Sequence, residues 1–388
     1  MNTFKRNFLN PSNEFTPIPF WFWNDRFDEK EIKRQINDFY AKGVMGFVIH
    51  PRIGIPRDIQ YLSDRFMEYV KFAVKEAAKL GMYVVLYDEG MYPSGSAHGM
   101  VVKNNPEYAS RGLRMVEHCC TDRLELTLKL EQSDKLISIQ AIKKENGMFV
   151  KDSIKKLKVE NGKIIYNKPD SKEWSVLLFV ETYSKGTIRG IHSGEDDGDK
   201  DAPASADLLN IHATQKFISL THERYYEVLK NYFGSTVIAM FTDEPGILGR
   251  RHKKNLIPWT EDFLDFYIGY GNSELDLPFL FLNIDNTTKN IRRNYRKAVN
   301  KKLEEAYYIP LFEWCGKHKI ALTGHPEKSD DIGALKYFHI PGQDIVWRGV
   351  APEKGKALEG ENSTVGKCSS DAARHHNKKR NSNFCFLV

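Results

Sequence analysis

The sequence predicts an α/β protein built on parallel strands, and three observations carry that prediction. Apolar runs suited to buried strands alternate with amphipathic stretches of helical period over the first hundred residues, and the alternation resumes after residue 207. Each apolar run finishes in polar, titratable or aromatic residues, the pattern expected where strand ends build a site. At 388 residues with 41% hydrophobic content, the chain is long enough for one large domain or two ordinary ones around a substantial core.

The elements follow in order. "PIPFWFWN" (17–24) reads as a buried, aromatic-rich strand. "DEKEIKRQINDFYAKG" (28–43) places Ile32, Ile36, Phe39 and Tyr40 at helical spacing, with Gly43 at its C-terminal end. "VMGFVIHPR" (44–52) is a second strand. "SDRFMEYVKFAVKEAAKLG" (63–81) is an amphipathic helix opened by a serine cap, and "MYVVLYDEG" (82–90) a third strand. Strands separated by helices of this length imply parallel pairing with right-handed crossovers.

Between about 113 and 192 the pattern changes to alternating segments such as "LELTLKL", "LISIQAIKK" and "WSVLLFVETY", with "ENG" turns at 145–147 and 160–162. This reads as a small antiparallel β module inserted into the α/β unit. The expected organisation is therefore residues 1–112 as the first part of the α/β domain, 113–192 as the module, and 193–388 as the remainder. After an acidic loop (193–206), "DLLNIHA" (207–213), "TVIAMFTDEP" (236–245), "KIALTGHPE" (319–327) and "GQDIVWRG" (342–349) are the later strands, giving seven in all.

Composition excludes several classes. The net charge of +6 is spread along the chain apart from "HHNKKR", a run better read as solvated surface than as a nucleic-acid site. No apolar stretch reaches the roughly 20 residues of a membrane helix, and the first fifteen residues lack a signal-peptide core. Five cysteines in no metal or disulfide spacing suit free thiols, so a cytoplasmic location with no nucleic-acid or membrane partner is expected. Phosphate-binding glycine loops, the G-x-S-x-G elbow and HExxH are all missing, which argues against nucleotide, serine-nucleophile and zincin chemistry. The acidic 196–199 stretch shares only composition with a calcium loop.

The strand ends offer Trp23 and Asn24; His50 and Arg52; Asp88 and Glu89; His212; Asp243 and Glu244; His325 and Glu327; and Trp347. Carboxylates with planar aromatics suit a sugar, since acids protonate the leaving oxygen and activate water while indoles stack on the ring. Neighbours on a strand face opposite sides, so Asp243 and Glu244 cannot both enter one site if the strand persists through them. Glu244, nearer the tip, is assigned to catalysis and Asp243 to bracing. Its catalytic partner would be Glu89, Glu327 or Asp88. His50 and Arg52 share parity and could grip a hydroxyl pair or a carboxylate, and His325 shares parity with Glu327. Trp23, Asn24, His50, Arg52, Asp88, His212, Asp243, His325 and Trp347 form the expected substrate-binding set.

Together, "PFWFWN", "GFVIHPR", "LYDEGMYPSG" and "FTDEP" resemble, in this order, the catalytic domain of bacterial glycoside hydrolases related to the family 106 α-L-rhamnosidases. The resemblance covers most of the chain outside the β module. It implies a TIM-type (β/α)8 barrel, cleavage of a glycosidic bond in an oligosaccharide or glycoside, and a carboxylate pair that includes Glu244. Relatives on the rhamnosidase side depend on calcium, which the resemblance allows as a cofactor and no motif here assigns. It also implies an eighth strand beginning near "RNSNFCF" and an acidic residue near Phe384; the chain stops at Val388 without one, as a truncated barrel lacking its second carboxylate would. Two other readings stand beside the glycosidase: a catalytically inactive carbohydrate-binding barrel, and a metal-dependent hydrolase using His50, His212 and His325.

Overall fold

The computed structural model describes residues 3–328, 331–345, 367–379 and 382–385. In chain order its strands are β1 (Phe20–Trp23), β2 (Gly46–Pro51), β3 (Tyr83–Tyr87), β4 (Arg111–Cys120), β5 (Arg123–Thr127), β6 (Lys135–Glu145), β7 (Met148–Lys156), β8 (Lys163–Asn167), β9 (Glu173–Tyr183), β10 (Val237–Asp243), β11 (Ile257–Trp259), β12 (Ala321–His325), β13 (Ile340–Ile345) and β14 (Ser382–Cys385). The chain divides into two compact units. One comprises Met1–Tyr108, Thr187–Arg251 and Glu304–Val388, the other Ala109–Gly186 and His252–Leu303.

The first unit is α/β. Its seven strands form one sheet in the order β1-β2-β3-β10-β12-β13-β14, every neighbouring pair parallel. A ladder from β14 back to β1 is not found among the described residues. The sheet nevertheless curls strongly. Strands β1 and β10 are three spacings apart, about 14 Å in a flat sheet, yet the Phe20 and Phe241 rings lie 5.1 Å apart, edge to face. Phe20, Val48, Val85, Tyr87, Ala239 and Phe241 fill the concave side. On the other face Trp21 packs edge-on against Phe39 of the helix Glu29–Ala41, and Trp23 against Phe66 of the helix Asp64–Lys79.

Those two helices begin where the sequence placed them. The Asp28 carboxylate accepts from the Glu31 N–H at 2.8 Å, and Ser63 Oγ accepts from the Phe66 N–H at 3.3 Å. Each satisfies a backbone donor that the helix itself cannot. Asp28→Ala is expected to destabilise the fold by about 1 kcal/mol, read as a shift in urea midpoint at constant m value.

Two expectations about strands need correction. Residues 207–213 are not a strand: the Asn210 side chain accepts from the His212 N–H at 2.9 Å and caps the helix Ile211–Leu220. Leu208 and Leu209 are buried as a turn before that helix, so their apolar run resembled a strand. The seventh strand is β14, where the resemblance placed the eighth.

The second unit is antiparallel, with sheets β11-β4-β9-β6-β7 and β5-β8 over a core that includes Ile139, Ile164, Trp174 and Val176. The β6–β7 hairpin turns at Asn146 and Gly147, both left-handed (φ 50° and 79°). This is the pair of positive φ values that a type I′ turn requires and that Asn-Gly supplies cheaply. Strand β11 pairs with β4.

Candidate active site

The carboxyl ends of β2, β3, β10 and β12 carry most of the expected site residues. The floor is aromatic. His50 stacks on Tyr87 with ring centroids 3.9 Å apart, and Tyr87 stacks on Phe241 at 5.6 Å. His50 is fully buried; its Nδ1 lies 2.9 Å from the Pro51 carbonyl, which can only accept, so Nδ1 carries the proton. Burial first, with the Arg52 charge assisting, lowers its pKa to about 4, so the ring is neutral.

Asp243 stands above this floor, 2% exposed. Tyr87 donates its hydroxyl to Oδ2 at 2.5 Å, and His325 Nε2 lies 3.1 Å from Oδ1. Burial alone would raise the acid and lower the imidazole. Their mutual contact outweighs it, so Asp243 is pushed below the usual carboxylate range and His325 rises to about 9. The two form a buried ion pair. Register puts them level, Asp243 opposite His325. Gly324 allows the close approach: a Cβ there would sit 1.9 Å from the Thr242 carbonyl oxygen, at φ +121°. Both carboxylate oxygens of Asp243 are thus held, one by Tyr87 and one by His325.

Glu244 is the first residue past β10 and has φ 45°, a left-handed conformation uncommon for glutamate. Burial first, then the adjacent Asp243 and the Asp344 carboxylate, raise its pKa to about 7, against the lowering effect of His325 and Arg250. The sequence reading did not single out Asp344. It lies on β13, half-buried, with its own pKa raised by burial and by Asp243 while His325 opposes. Trp347, expected near the end of the run 342–349, lies outside the described residues.

The other expected residues separate. Asp88 is fully buried, and Ser94 Oγ donates to its Oδ1 at 2.6 Å while the same oxygen accepts from the Asp243 N–H at 2.8 Å. Desolvation raises Asp88 well above its ordinary value. Glu89 is fully buried too and accepts from the backbone N–H groups of Gly90, Ser96, Ala97 and His98 at 2.5–2.8 Å. Its carboxylate organises the 90–98 loop, an anion in a nest of main-chain donors. Arg52 lies over Phe22 at 4.5 Å and near Tyr92 at 5.9 Å, with Nη1 buried and unpartnered. Arg189 and Arg250 also flank the Tyr92 ring, at 5.1 and 5.6 Å. Asn24 and Glu327 are exposed, and a Cβ on Gly246 would lie 3.5 Å from Glu327 Oε1. Trp23 is 3% exposed on the helix-facing side against Phe27 and Phe66, so Phe22 rather than Trp23 faces Arg52. His212 is exposed in the first turn of its helix, not at a strand end.

Calcium requires six to eight oxygen ligands. Asp197 is bound by Arg250, with Nε 2.6 Å from Oδ1, and Asp196 by Arg189 at 2.7 Å. Asp243 and Asp88 already serve Tyr87, His325 and Ser94. The described residues do not assemble an oxygen-rich set that fits calcium, and no step is drawn through it.

No family model matches the sequence, and no curated protein matches it. Among solved structures the chain is similar to a rhamnosidase from Novosphingobium sp. PP1Y: TM-score 0.64 at 12% identity, covering 89% of this chain and 50% of that one. The two share a fold. Weaker similarities are to β-galactosidases from Marinomonas ef1 (TM-score 0.45, 10% identity, 93% of this chain and 45% of that one) and from Halorubrum lacusprofundi (0.39, 9%, 90% and 43%). The chain spans about half the length of each. No helix among the described residues is long and apolar enough to cross a membrane.

Proposed function

We propose that the chain is a glycoside hydrolase of the kind related to family 106 α-L-rhamnosidases, its curled sheet forming a (β/α)8-type barrel, with Glu244 as the general acid. The observation that supports this most is the state of Glu244. It is a carboxyl held near pKa 7 by burial and by two neighbouring acids, at the tip of a strand, beside a fixed Asp243–His325 pair. A general acid is most useful with its pKa near the working pH. Asp344, whose charge adds to the push on Glu244, is the partner carboxylate. A pair of carboxyls, one of them held near pKa 7, is what glycosidic cleavage by acid and base requires. Arg52 and Tyr92 would hold sugar hydroxyls above the floor that His50 and Tyr87 make. Asp88, Ser94 and Glu89 keep the 90–98 loop in place.

The test is release of aryl alcohol from a panel of aryl glycosides, α-L-rhamnoside among them, by the purified chain. Turnover above background that falls as pH rises through about 7 is expected. A folded protein whose melting temperature rises with sugar, but which releases nothing across the panel, would leave a binding-only barrel as the reading.

A further inference from the structure

We propose that His98, His192 and Glu195 form a binding site for a single divalent transition metal ion of zinc type, apart from the acids of the cleft and independent of the proposed hydrolase activity. One ligand atom from each lies within 4.8 Å of the others. His98 Nε2 is 2.8 Å from Glu195 Oε2, as though a proton stood where the ion would. His192 supplies the decisive observation. Its residue is 1% exposed and its Nδ1 lies 2.8 Å from the Ile55 carbonyl, which fixes the proton on Nδ1. Nε2 is then a bare lone pair, buried and without any partner. A buried acceptor left unmatched is costly, and a ring nitrogen oriented by a carbonyl on its far side is how metal-binding histidines are set.

The rest of the cluster fits. Glu195 is 6% exposed, and Arg57 approaches its other oxygen, Oε1, at 3.5 Å from an exposed position, leaving Oε2 for the metal. The His192 N–H donates to Oε2 at 2.9 Å and orients that oxygen. Gly190 makes room: a Cβ there would stand 2.3 Å from Glu195 Oε2 and 2.8 Å from His98 Nε2. Two imidazoles and one carboxylate suit zinc, with bonds of about 2.0–2.2 Å and a water in the fourth position, and are a poor set for calcium. The ion would tie three segments together: the loop after β2 through Ile55, the 90–98 loop through His98, and residues 190–195.

The experiment loads the chelator-treated full chain with zinc chloride, dialyses it and counts bound metal, with cobalt(II) as a spectroscopic probe. Expected are about one equivalent per chain, intense visible bands of four-coordinate cobalt, and a melting temperature raised by zinc. His192→Asn and Glu195→Gln should each weaken binding on the order of tenfold or more and abolish the thermal shift. His375→Gln, in an exposed histidine at the end of the helix Lys367–His375, should change neither. Far-UV circular dichroism checks that the variants fold; should either fail, His98→Asn takes its place. Wild-type protein that retains no stoichiometric zinc, or folded ligand variants that retain it equally, would overturn the proposal.

Discussion

Glu244→Gln is expected to lower glycoside turnover on the order of 100-fold or more, with melting temperature and sugar affinity nearly unchanged. Glutamine keeps the shape of the side chain and the left-handed backbone at φ 45°, so the folded structure has little reason to move. What it removes is the proton that a carboxyl near pKa 7 can deliver to a leaving oxygen. Two further readouts separate this role from a structural one. In the wild type the rate should decline as pH rises through about 7, because the acid loses its proton; in the variant that limb should vanish. Substrates with very good leaving groups, which need little protonation, should be hurt least. Full activity in Glu244→Gln would remove Glu244 from the chemistry.

Asp243→Asn should destabilise the fold by about 3–5 kcal/mol, the range for removing one partner of a buried ion pair. Asparagine leaves His325 without its counter-charge and turns a strong acceptor for Tyr87 into a weak one. The sign of the pH dependence follows from the shifts. The folded-state pKa of His325, about 9, is above its ordinary 6.5, so its contribution is full below 6.5 and fades as pH rises through 9. That of Asp243 is below its ordinary 3.8, so its contribution is present above 3.8 and fades as pH falls through the depressed value. Wild-type stability should therefore carry a loss toward pH 9 that is absent from Asp243→Asn, measured by urea unfolding across that window. Identical pH profiles for the two proteins would mean that the pair does not hold this charge state.

The regular part of the fold was legible because its strands are continuous apolar runs and its helices carry side-chain caps at Asp28 and Ser63. What escaped depends on contacts that period and composition do not encode. Leu208 and Leu209 looked like a strand because a buried turn is equally apolar. Glu89 looked catalytic because four main-chain donors from residues 90–98 leave no mark in the side-chain pattern. Trp23 looked like a sugar platform, but the alternation of β1 gives that side to Phe22 and turns the indole toward the helices. Asp344 was passed over because β13 begins at Ile340, before the run that the sequence marked out.

The pairing of β3 with β10 bears on the order in which the chain can fold. These neighbours are about 150 residues apart in sequence, a closure that costs a free chain about 4 kcal/mol in entropy. The ladder between β4 and β9 changes that cost. Arg111 sits opposite Tyr183, so once this hairpin-like pair has formed, the two ends of the long excursion are already side by side. The effective loop is then roughly halved, and about half a kcal/mol of the entropic cost disappears. An antiparallel pair is also the quicker kind to make when its strands lie nearer in sequence. The antiparallel strands β4 to β9 would thus act as a local clasp that forms early, and the parallel sheet would be completed only when β10, β12 and β13 have left the ribosome.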